Sequence, residues 1–367
     1  MSSGSTASPD SGSRMLRLGI IADPQYCDCE DGTQFGDPTR KRYYRNSAII
    51  LEEASKFFMD SSTDWNIILG DVLDGKCKRN GVLDSSMKRI TDAIEKHSPD
   101  NGVDEERWTM VIGNHDLHCF TRQELYEVQR YFVPKRFKQQ CSPQRLYHCQ
   151  EISNEVALIY LDTYEVSVDG GNKQQAEDII RANNPNWGNK PNWLEGLSEE
   201  KKKFVPYNGG MTDTQLQWLE ETLECCKRKG QQVIVFVHSA LTGGFCRPSS
   251  ISWSGKEALD LLHSSGVVLA VFSGHDHDGG YLHQPVRDPG APGGGIRHIC
   301  PPAPLEATPG TAAYGILHLE SGRAKFEWKG GRFYPRDLRQ KVEGAQRGVP
   351  LGPDDEASKA FWDGEWW

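Results

Sequence analysis

Six short apolar runs recur along the chain and alternate with segments of helical character. Each run has the length of a strand, and alternation of strands with helices is typical of α/β proteins. The sequence therefore predicts an α/β fold. The runs span residues 15–22, 65–69, 108–112, 156–161, 233–237 and 267–272.

Helices are predicted between these runs, at residues 42–59, 84–97 and 121–131. The clearest helix follows Thr212, a residue type that caps helix N-termini. Beyond it Leu216, Leu219 and Leu223 recur at intervals of three and four residues, which predicts an apolar stripe that faces the sheet.

Two regions depart from this alternation. Residues 165–210 are long for a plain connection, which favours a functional lid or an ordered insertion. After His277 the chain has short strand-like pieces between Gly/Pro-rich turns, and we predict a second, mixed or antiparallel sheet there. These pieces are residues 297–300, 314–319 and 325–328.

Composition narrows the classes of function. The net charge of -9 argues against a broad nucleic-acid surface, because phosphate backbones are bound through an excess of Lys and Arg. No apolar run approaches the roughly 20 residues that span a bilayer, and residues 1–13 lack the apolar core of a secretory signal. With the ten cysteines interpreted as reduced thiols, we predict a cytoplasmic protein without nucleic-acid or membrane partners; its oligomeric state stays open.

Polar side chains that can bind a metal follow five of the six apolar runs. In open α/β sheets the carboxyl ends of the strands form the ligand-binding edge, so we expect these side chains to converge. Carboxylate and amide oxygens mixed with imidazoles suit borderline divalent cations such as Mn²⁺, Zn²⁺ or Fe²⁺. The candidates are Asp23, Gln25, Asp71, Asn114, His115, Asp116, His238, His275 and His277.

Two metals about 3.5 to 4 Å apart that share a bridging carboxylate can together activate a nucleophile for attack on phosphorus. Asp71 is the predicted bridge. Taken alone, Asp23 and Asp71 are typical turn carboxylates, and His238 is typical of a hydrogen-bonded core histidine. Their common placement after strands favours the metal site over these separate interpretations.

The order Asp-x-Gln, Gly-Asp, Gly-Asn-His-Asp, His and Gly-His-x-His resembles that of the calcineurin-like metallophosphoesterase superfamily, over residues 16–328. The resemblance implies two facing mixed sheets flanked by helices, a four-layer sandwich. From composition and pattern we also divide the chain into a flexible tail at 1–13, a catalytic domain at 14–345 with the insertion or lid at about 165–210, and a tail at 346–367.

The same resemblance assigns roles to the candidate residues. One metal takes Asp23, Gln25, Asp71 and His277, and the other takes Asp71, Asn114, His238 and His275. His115 is then the imidazole beside the metals that stabilises the transition state or protonates the leaving oxygen, and Asp116 orients it.

Gln25 departs from the superfamily pattern, in which the first motif usually reads Asp-x-His. An amide oxygen in place of an imidazole nitrogen holds its metal more weakly and favours Mn²⁺ over Zn²⁺, with Fe²⁺ and Mg²⁺ as further possibilities. This variant resembles the manganese-dependent ADP-ribose/CDP-alcohol diphosphatases. Their implied reaction is attack of a metal-held hydroxide on a small nucleoside diphosphate derivative such as ADP-ribose, CDP-choline or CDP-glycerol, which yields a nucleoside monophosphate and a phosphorylated sugar or alcohol.

Other functions stay open at this point. A phosphodiesterase or phosphomonoesterase of the same superfamily, including one for cyclic nucleotides, would use the same ligands. A metal-stabilised binding protein without turnover would follow if the Gln25 metal were never held. A nuclease is disfavoured by the acidic charge balance.

Three residues are candidates for contact with substrate. Phe35 follows the first motif, where it either stacks on a nucleobase or packs in its loop. Cys246 follows a glycine turn and is either exposed to substrate or a structural thiol. Arg247 pairs either with a phosphate or with a surface carboxylate.

Overall fold

The computed structural model describes residues 14–34, 37–97, 107–127, 132–188, 192–285, 295–320, 322–330 and 367. The predicted tail at 1–13, the tail at 346–367 except its last residue, and Phe35 lie outside the described residues.

All six apolar runs form strands. In chain order the strands are β1 (Leu16–Ile21), β2 (Gly32–Gln34), β3 (Asp37–Arg42), β4 (Trp65–Ile68), β5 (Trp108–Met110), β6 (His148–Glu151), β7 (Val156–Tyr160), β8 (Val166–Ser167), β9 (Gly209–Gly210), β10 (Gln232–Val237), β11 (Val268–Ser273), β12 (Gly280–Gln284), β13 (Ile296–Cys300), β14 (Tyr314–Glu320) and β15 (Arg323–Lys329).

The helices agree in position with the predicted ones, and further short helices occur. They are α1 (Tyr44–Asp60), α2 (Lys76–Arg79), α3 (Leu83–Glu95), α4 (Asn114–Cys119), α5 (Arg122–Glu127), α6 (Lys173–Asn183), α7 (Asp213–Lys229) and α8 (Gly255–Ser265). Short 3₁₀ helices span Lys135–Phe137, Glu199–Lys201, Pro248–Ser250 and Pro304–Glu306. Thr212 caps α7 as expected, since its hydroxyl accepts a hydrogen bond from the Gln215 amide at 3.2 Å.

Two large sheets form the body of the protein. One has the order β15-β14-β1-β4-β5, and the other has the order β12-β13-β11-β10-β7-β6. Strands β1, β4 and β5 are parallel, as are β7, β10, β11 and β13. The candidate ligands follow the carboxyl ends of β1, β4, β5, β10 and β11.

The prediction of a separate sheet after His277 was wrong. The late strands instead extend both sheets: β14 and β15 add antiparallel to β1, and β12 with β13 adds to β11. Strand β4 pairs with one edge of β1, and β14 pairs with the other edge. Without β14 the backbone groups on that second edge would have no strand partner, which is unfavourable in a buried sheet.

The two sheets face each other across one apolar core. The rings of Phe272 in β11 and Phe326 in β15 meet edge-on with centroids 5.2 Å apart, although the strands belong to different sheets. Within β10, Ile234 and Phe236 belong to this core, while the alternate valines pack with residues of α7 and α8. The result is the expected four-layer α/β/β/α arrangement.

The described residues of the predicted insertion at 165–210 include β8, α6 and β9. They have a small apolar cluster of their own, in which Val166, Ala176 and Ile180 pack with Trp253 outside that segment. In the described ranges no helix combines the length and the apolar character needed to cross a membrane.

Candidate active site

The turns after the strands hold four predicted ligands in left-handed backbone conformations. The φ angles are 43° at Asp23, 40° at Gln25, 51° at Asp71 and 68° at His275. Non-glycine residues adopt such angles at a cost of about 1–3 kcal/mol each, and such strain clusters at functional sites. The turns therefore aim these side chains at a cost that the surrounding fold must offset.

Glycines let the turns approach each other. A Cβ atom at Gly113 would lie 2.7 Å from the backbone nitrogen of Asp71, and one at Gly274 would lie 2.7 Å from the carbonyl of Leu69. Both distances are too short for a real Cβ. The glycines that precede Asn114 and His275 thus permit the close meeting of the strand ends.

Asp71 lies at the centre of the candidate site. Its Oδ2 atom accepts a hydrogen bond from the Gln25 amide nitrogen at 2.9 Å and lies 3.4 Å from Nε2 of His238. Its other oxygen accepts from the backbone nitrogen of His115 at 2.8 Å. Ligand atoms of Asp71, His238 and His275 all lie within 4.8 Å of one another, which is close enough for the three side chains to bind one metal ion.

Asp23 follows β1 of one sheet and lies close to His238 and His277, which follow strands of the other sheet. Its Oδ1 atom lies 3.8 Å from Nε2 of His238 and 3.7 Å from Nε2 of His277. Both of its oxygens accept from the backbone nitrogen of His275, at 3.0 and 3.1 Å. Asn114 is buried beside this group, and its Oδ1 accepts from the Tyr164 hydroxyl at 3.4 Å.

Each candidate histidine is anchored through one ring nitrogen. His238 holds the carbonyl of Leu69 through Nδ1 at 2.7 Å, and His277 holds Oε1 of Glu306 through Nδ1 at 2.9 Å. Because a carbonyl only accepts, Nδ1 of His238 carries a proton, and in the neutral ring Nε2 then has the lone pair. Such outer hydrogen bonds fix the tautomer and the ring orientation of metal-binding histidines.

The side chain of Gln25 indicates whether the candidate ligands fit a metal ion. Its Nε2 lies 2.9 Å from Oδ2 of Asp71 and 3.1 Å from Nε2 of His277, while its Oε1 is buried without a hydrogen-bond partner. A half-turn of the amide exchanges these two atoms and points the oxygen at the acceptors of Asp71 and His277. The buried Nε2 of His238 likewise has no hydrogen bond among the described residues. Both orphaned atoms fit a site that holds divalent cations.

Electrostatics also favour a cation here. Burial raises the pKa of Asp23 to about 6, although the charges of His238 and His277 oppose this. Burial also acts on Asp71, but His238 and His115 outweigh it and lower the pKa of Asp71 below its usual value. Burial disfavours protonation of His238, yet the charges of Asp71 and Asp23 raise its pKa to about 9. The carboxylates therefore attract positive charge strongly.

Comparison with known proteins agrees with this geometry. A family model for calcineurin-like phosphoesterases matches residues 16–279, which include the five motifs. The chain belongs to the calcineurin-like phosphoesterase family.

This phosphoesterase resembles a set of curated relatives over most of its length. It is 31% identical over 312 residues to the manganese-dependent ADP-ribose/CDP-alcohol diphosphatase of Arabidopsis thaliana, covering 83% of this chain and 91% of the relative. It is 28% identical over 362 residues to the enzyme of the same name from Homo sapiens, covering 92% and 96%. The crystal structure of a dimetal phosphatase from Danio rerio superposes with a TM-score of 0.75 at 26% identity, covering 86% of this chain and 96% of that one.

Asp116 does not orient His115, contrary to the expectation from the sequence. In this phosphoesterase both of its oxygens accept backbone hydrogen bonds, from Asp71 at 2.8 Å, from Val72 at 2.9 Å and from Gly113 at 2.9 Å. Consecutive residues of a helix do not face each other, and Asp116 follows His115 in α4. Burial and the charge of Asp71 raise the pKa of Asp116 to about 7. Asp116 thus ties together the two turns that carry Asp71 and Asn114.

Asp74 and the backbone of Gly75 lie beside the His115 ring. Nδ1 of His115 accepts a hydrogen bond from the backbone nitrogen of Gly75 at 3.2 Å, and Oδ2 of Asp74 lies 3.4 Å from the same ring nitrogen. Burial lowers the pKa of His115 in spite of the charges of Asp71 and Asp74. The ring lines a cleft beside the candidate metal site.

A cleft of about 2050 Å³ opens over the candidate metal site. One wall comes from the insertion, through Trp187, Trp193, Leu194 and Tyr207 among others. The cleft is also lined by the basic residues Arg42, Lys76, Lys78 and Arg79. The insertion therefore forms part of the cleft that leads to the site.

The two described substrate candidates differ in position. Arg247 lines the cleft, and its Nε lies 3.4 Å from Oδ1 of the buried Asp276. Cys246 is 6% exposed and packs in an apolar cluster with Phe245 and Cys300. Of the two interpretations that the sequence left open for Cys246, the structure therefore favours the structural thiol.

The sequence did not single out three residues that lie against the candidate histidines. Asp74 lies beside His115, Asn208 beside His275 and Glu306 beside His277. Asp74 follows Asp71 closely enough that an acidic residue just after the second motif was a usable signal. Asn208 and Glu306 lie in no strand-end motif, so the sequence offered no comparable signal for them.

Proposed function

We propose that this phosphoesterase is a manganese-dependent diphosphatase. It cleaves ADP-ribose, CDP-alcohols and related nucleoside diphosphate derivatives to a nucleoside monophosphate and a phosphorylated sugar or alcohol. The observation that carries the proposal is the Gln25 amide, which faces Asp71 and His277 where the superfamily usually has an imidazole. An amide oxygen is a harder ligand than imidazole and favours Mn²⁺.

We assign the ligands as two overlapping sets. Asp23, Gln25, Asp71 and His277 would hold one cation, and Asp71, Asn114, His238 and His275 would hold the other. The central position of Asp71 between Gln25 and His238 supports its role as the bridge. When bound, the two cations lower the pKa of water and neutralise charge on the phosphate oxygens.

The protein side chains supply orientation and proton handling. His115 faces the cleft, where it would stabilise the transition state or protonate the leaving oxygen, and the nearby charge of Asp74 would favour its protonated form. Arg42, Lys76, Lys78 and Arg79 would draw a diphosphate toward the site. Arg247 would pair with a phosphate oxygen.

The size of the cleft favours a substrate with groups on both sides of the diphosphate. Its volume of about 2050 Å³ is roughly twice that of the largest ordinary small-molecule pockets, which reach about 1000 Å³. A nucleoside could lie on one side of the metals and a sugar or alcohol on the other. A small phosphate monoester would fill only a small part of this cleft.

The test is a substrate panel on metal-stripped protein with Mn²⁺, Mg²⁺ and Zn²⁺. ADP-ribose and CDP-choline should each release a nucleoside monophosphate, and Mn²⁺ should be the best activator. The control is the Asp71→Ala variant. Failure to release AMP above this control contradicts the proposal, whereas faster turnover of p-nitrophenyl phosphate, its bis ester or a cyclic nucleotide would assign another phosphoesterase activity.

We also propose the cytoplasm as the compartment, on the grounds of the cysteine content. In the described part of the chain the cysteines form no disulfide. Cell fractionation with an antibody to the native protein tests this assignment.

A further inference from the structure

We propose that Asn208, which the insertion carries, is a positioning residue that sets the tautomer and the direction of the His275 ring. The inference rests on the proposed two-metal function and deepens it. It gives the insertion a second role, because residues 165–210 would then complete one metal site as well as line the cleft.

The orientation of the Asn208 amide is decided by its surroundings. Its Nδ2 lies 2.9 Å from the carbonyl of Lys203, 2.9 Å from that of Ser249 and 3.2 Å from that of Ile251. Carbonyl oxygens only accept hydrogen bonds, so the nitrogen of the amide must face them. The side-chain oxygen then points the other way, toward His275. Asn208 is fully buried, which makes the reversed orientation costly.

This orientation determines which ring nitrogen of His275 carries the proton. Oδ1 of Asn208 lies 2.8 Å from Nε2 of His275. An amide oxygen only accepts, so Nε2 must donate, and the lone pair of Nδ1 remains available for a metal. The backbone of His275 is held as well, through its hydrogen bonds to Asp23 and its φ of 68°. Both the backbone of His275 and the Nε2 atom of its ring are therefore held in place.

Asn208 itself sits on a rigid support. Strand β9 follows it directly and pairs with β8, and a Cβ atom at Gly209 would lie 2.6 Å from the carbonyl of Thr163. The carbonyls of Ser249 and Ile251 belong to the loop after His238. Asn208 thus joins the insertion, this loop and His275 in one hydrogen-bonded unit.

The variant test compares two buried asparagines of the same insertion. Asn208→Leu keeps the shape but removes the acceptor. Asn184→Leu is the matched control, because Asn184 is equally buried and donates to the carbonyls of Trp193 and Phe204 without contacting a histidine. Mn²⁺ binding to the metal-stripped proteins is measured by calorimetry.

We expect Asn208→Leu to weaken one of two Mn²⁺ sites by about 10- to 100-fold, the usual effect of losing an outer partner of a metal ligand. Asn208→Asp, which still accepts from Nε2, should retain more of this affinity than Asn208→Leu. Asn184→Leu should bind both ions as the wild type does. Two unchanged sites in a folded Asn208→Leu protein would overturn the role of Asn208. A wild type that binds fewer than two ions would instead overturn the proposed two-metal function.

A second measurement needs no Asn208 variant. Nitrogen-15 NMR of the metal-free wild type should show His275 as the tautomer protonated at Nε2, with its signals assigned by their loss in His275→Gln. A proton on Nδ1 instead would overturn the proposal, whatever the metal affinities.

Discussion

Oε1 of Glu306 lies 2.9 Å from Nδ1 of His277, and the same carboxylate accepts a hydrogen bond from Arg40 at 3.0 Å. Burial opposes the charge on this carboxylate, but His277 and Arg40 outweigh it and lower the pKa of Glu306 to about 2. Glu306 therefore stays ionised and can hold the His277 ring with Nε2 directed at Asp23 and Gln25.

Glu306→Gln tests this support. The amide keeps the shape but loses the charge that makes the imidazole a better ligand, so we expect Mn²⁺ affinity or activity to fall by about 10- to 100-fold. Glu52→Gln is the control, because Glu52 also pairs with basic side chains, Arg89 and Lys96, away from the site. Equal Mn²⁺ titrations of the Glu306→Gln protein and the wild type would contradict the prediction.

His115→Gln should separate chemistry from metal binding. The ring lies in the cleft but is not among the proposed ligands, so we expect kcat with ADP-ribose to fall by about 10²- to 10⁴-fold. The Mn²⁺ content, measured by atomic absorption, should stay at the wild-type value. A variant that loses metal together with activity would show that His115 acts through the metal site.

Asp74 and Asp116 should respond differently to replacement by Asn. Asp116→Asn replaces one of the two buried oxygens that accept backbone hydrogen bonds with an amide nitrogen, and leaving a buried donor unsatisfied costs about 1–3 kcal/mol. We expect it to lower the free energy of unfolding by about that amount, as measured in urea. Asp74→Asn should leave stability closer to the wild type and change the pH profile of kcat, because it faces the His115 ring. The reverse pattern would restore Asp116 as the partner of His115.

Gln25→His restores the usual superfamily ligand. An imidazole nitrogen is softer than an amide oxygen, so the variant should bind that metal more tightly and shift its preference from Mn²⁺ toward Zn²⁺. Competition of the two ions at equal concentration measures the shift, with Gln34→His on the cleft wall as the control. Unchanged Mn²⁺ activation and an unchanged order of substrates would show that Gln25 is not a ligand that matters.

His148 should make stability fall in mild acid. Burial, with a smaller effect of Arg136, lowers its pKa to about 3, and its ring stacks on Phe137 and Tyr160 with centroids 4.0 and 4.6 Å away. Above the ordinary histidine pKa of about 6.5 both the folded and unfolded states are neutral, so stability is at its full value. Between about pH 6.5 and about pH 3 His148 binds a proton in the unfolded state but not in the folded state. The free energy of unfolding therefore falls by about 1.4 kcal/mol for each pH unit in this range.

The measurement is urea unfolding at pH 7.5 and 5.5 for the wild type and His148→Phe. The wild type should lose about 1.4 kcal/mol more than the variant between these pH values. Equal losses in the two proteins would mean that His148 is protonated in the folded state or contributes nothing to the acid sensitivity.

The sequence predicted the strands and their polar ends well because both are local features. A buried strand shows as a continuous apolar run, and the turn that follows it directly carries the ligand, as for Asp71 after β4 and His238 after β10. The interpretation of Asp116 was wrong for a local reason too, since adjacency in sequence was taken for contact although consecutive helical residues diverge.

By itself, then, the sequence determined the α/β pattern, the strand-end residues and the exchange of histidine for Gln25. Only the tertiary structure decided which sheet the late strands join and which groups hold the ligands in place. Glu306 lies 29 residues beyond His277, and Asn208 lies 67 residues before His275. Periodicity reports a residue's own element, whereas these contacts depend on how distant elements pack, and no local pattern carries that information.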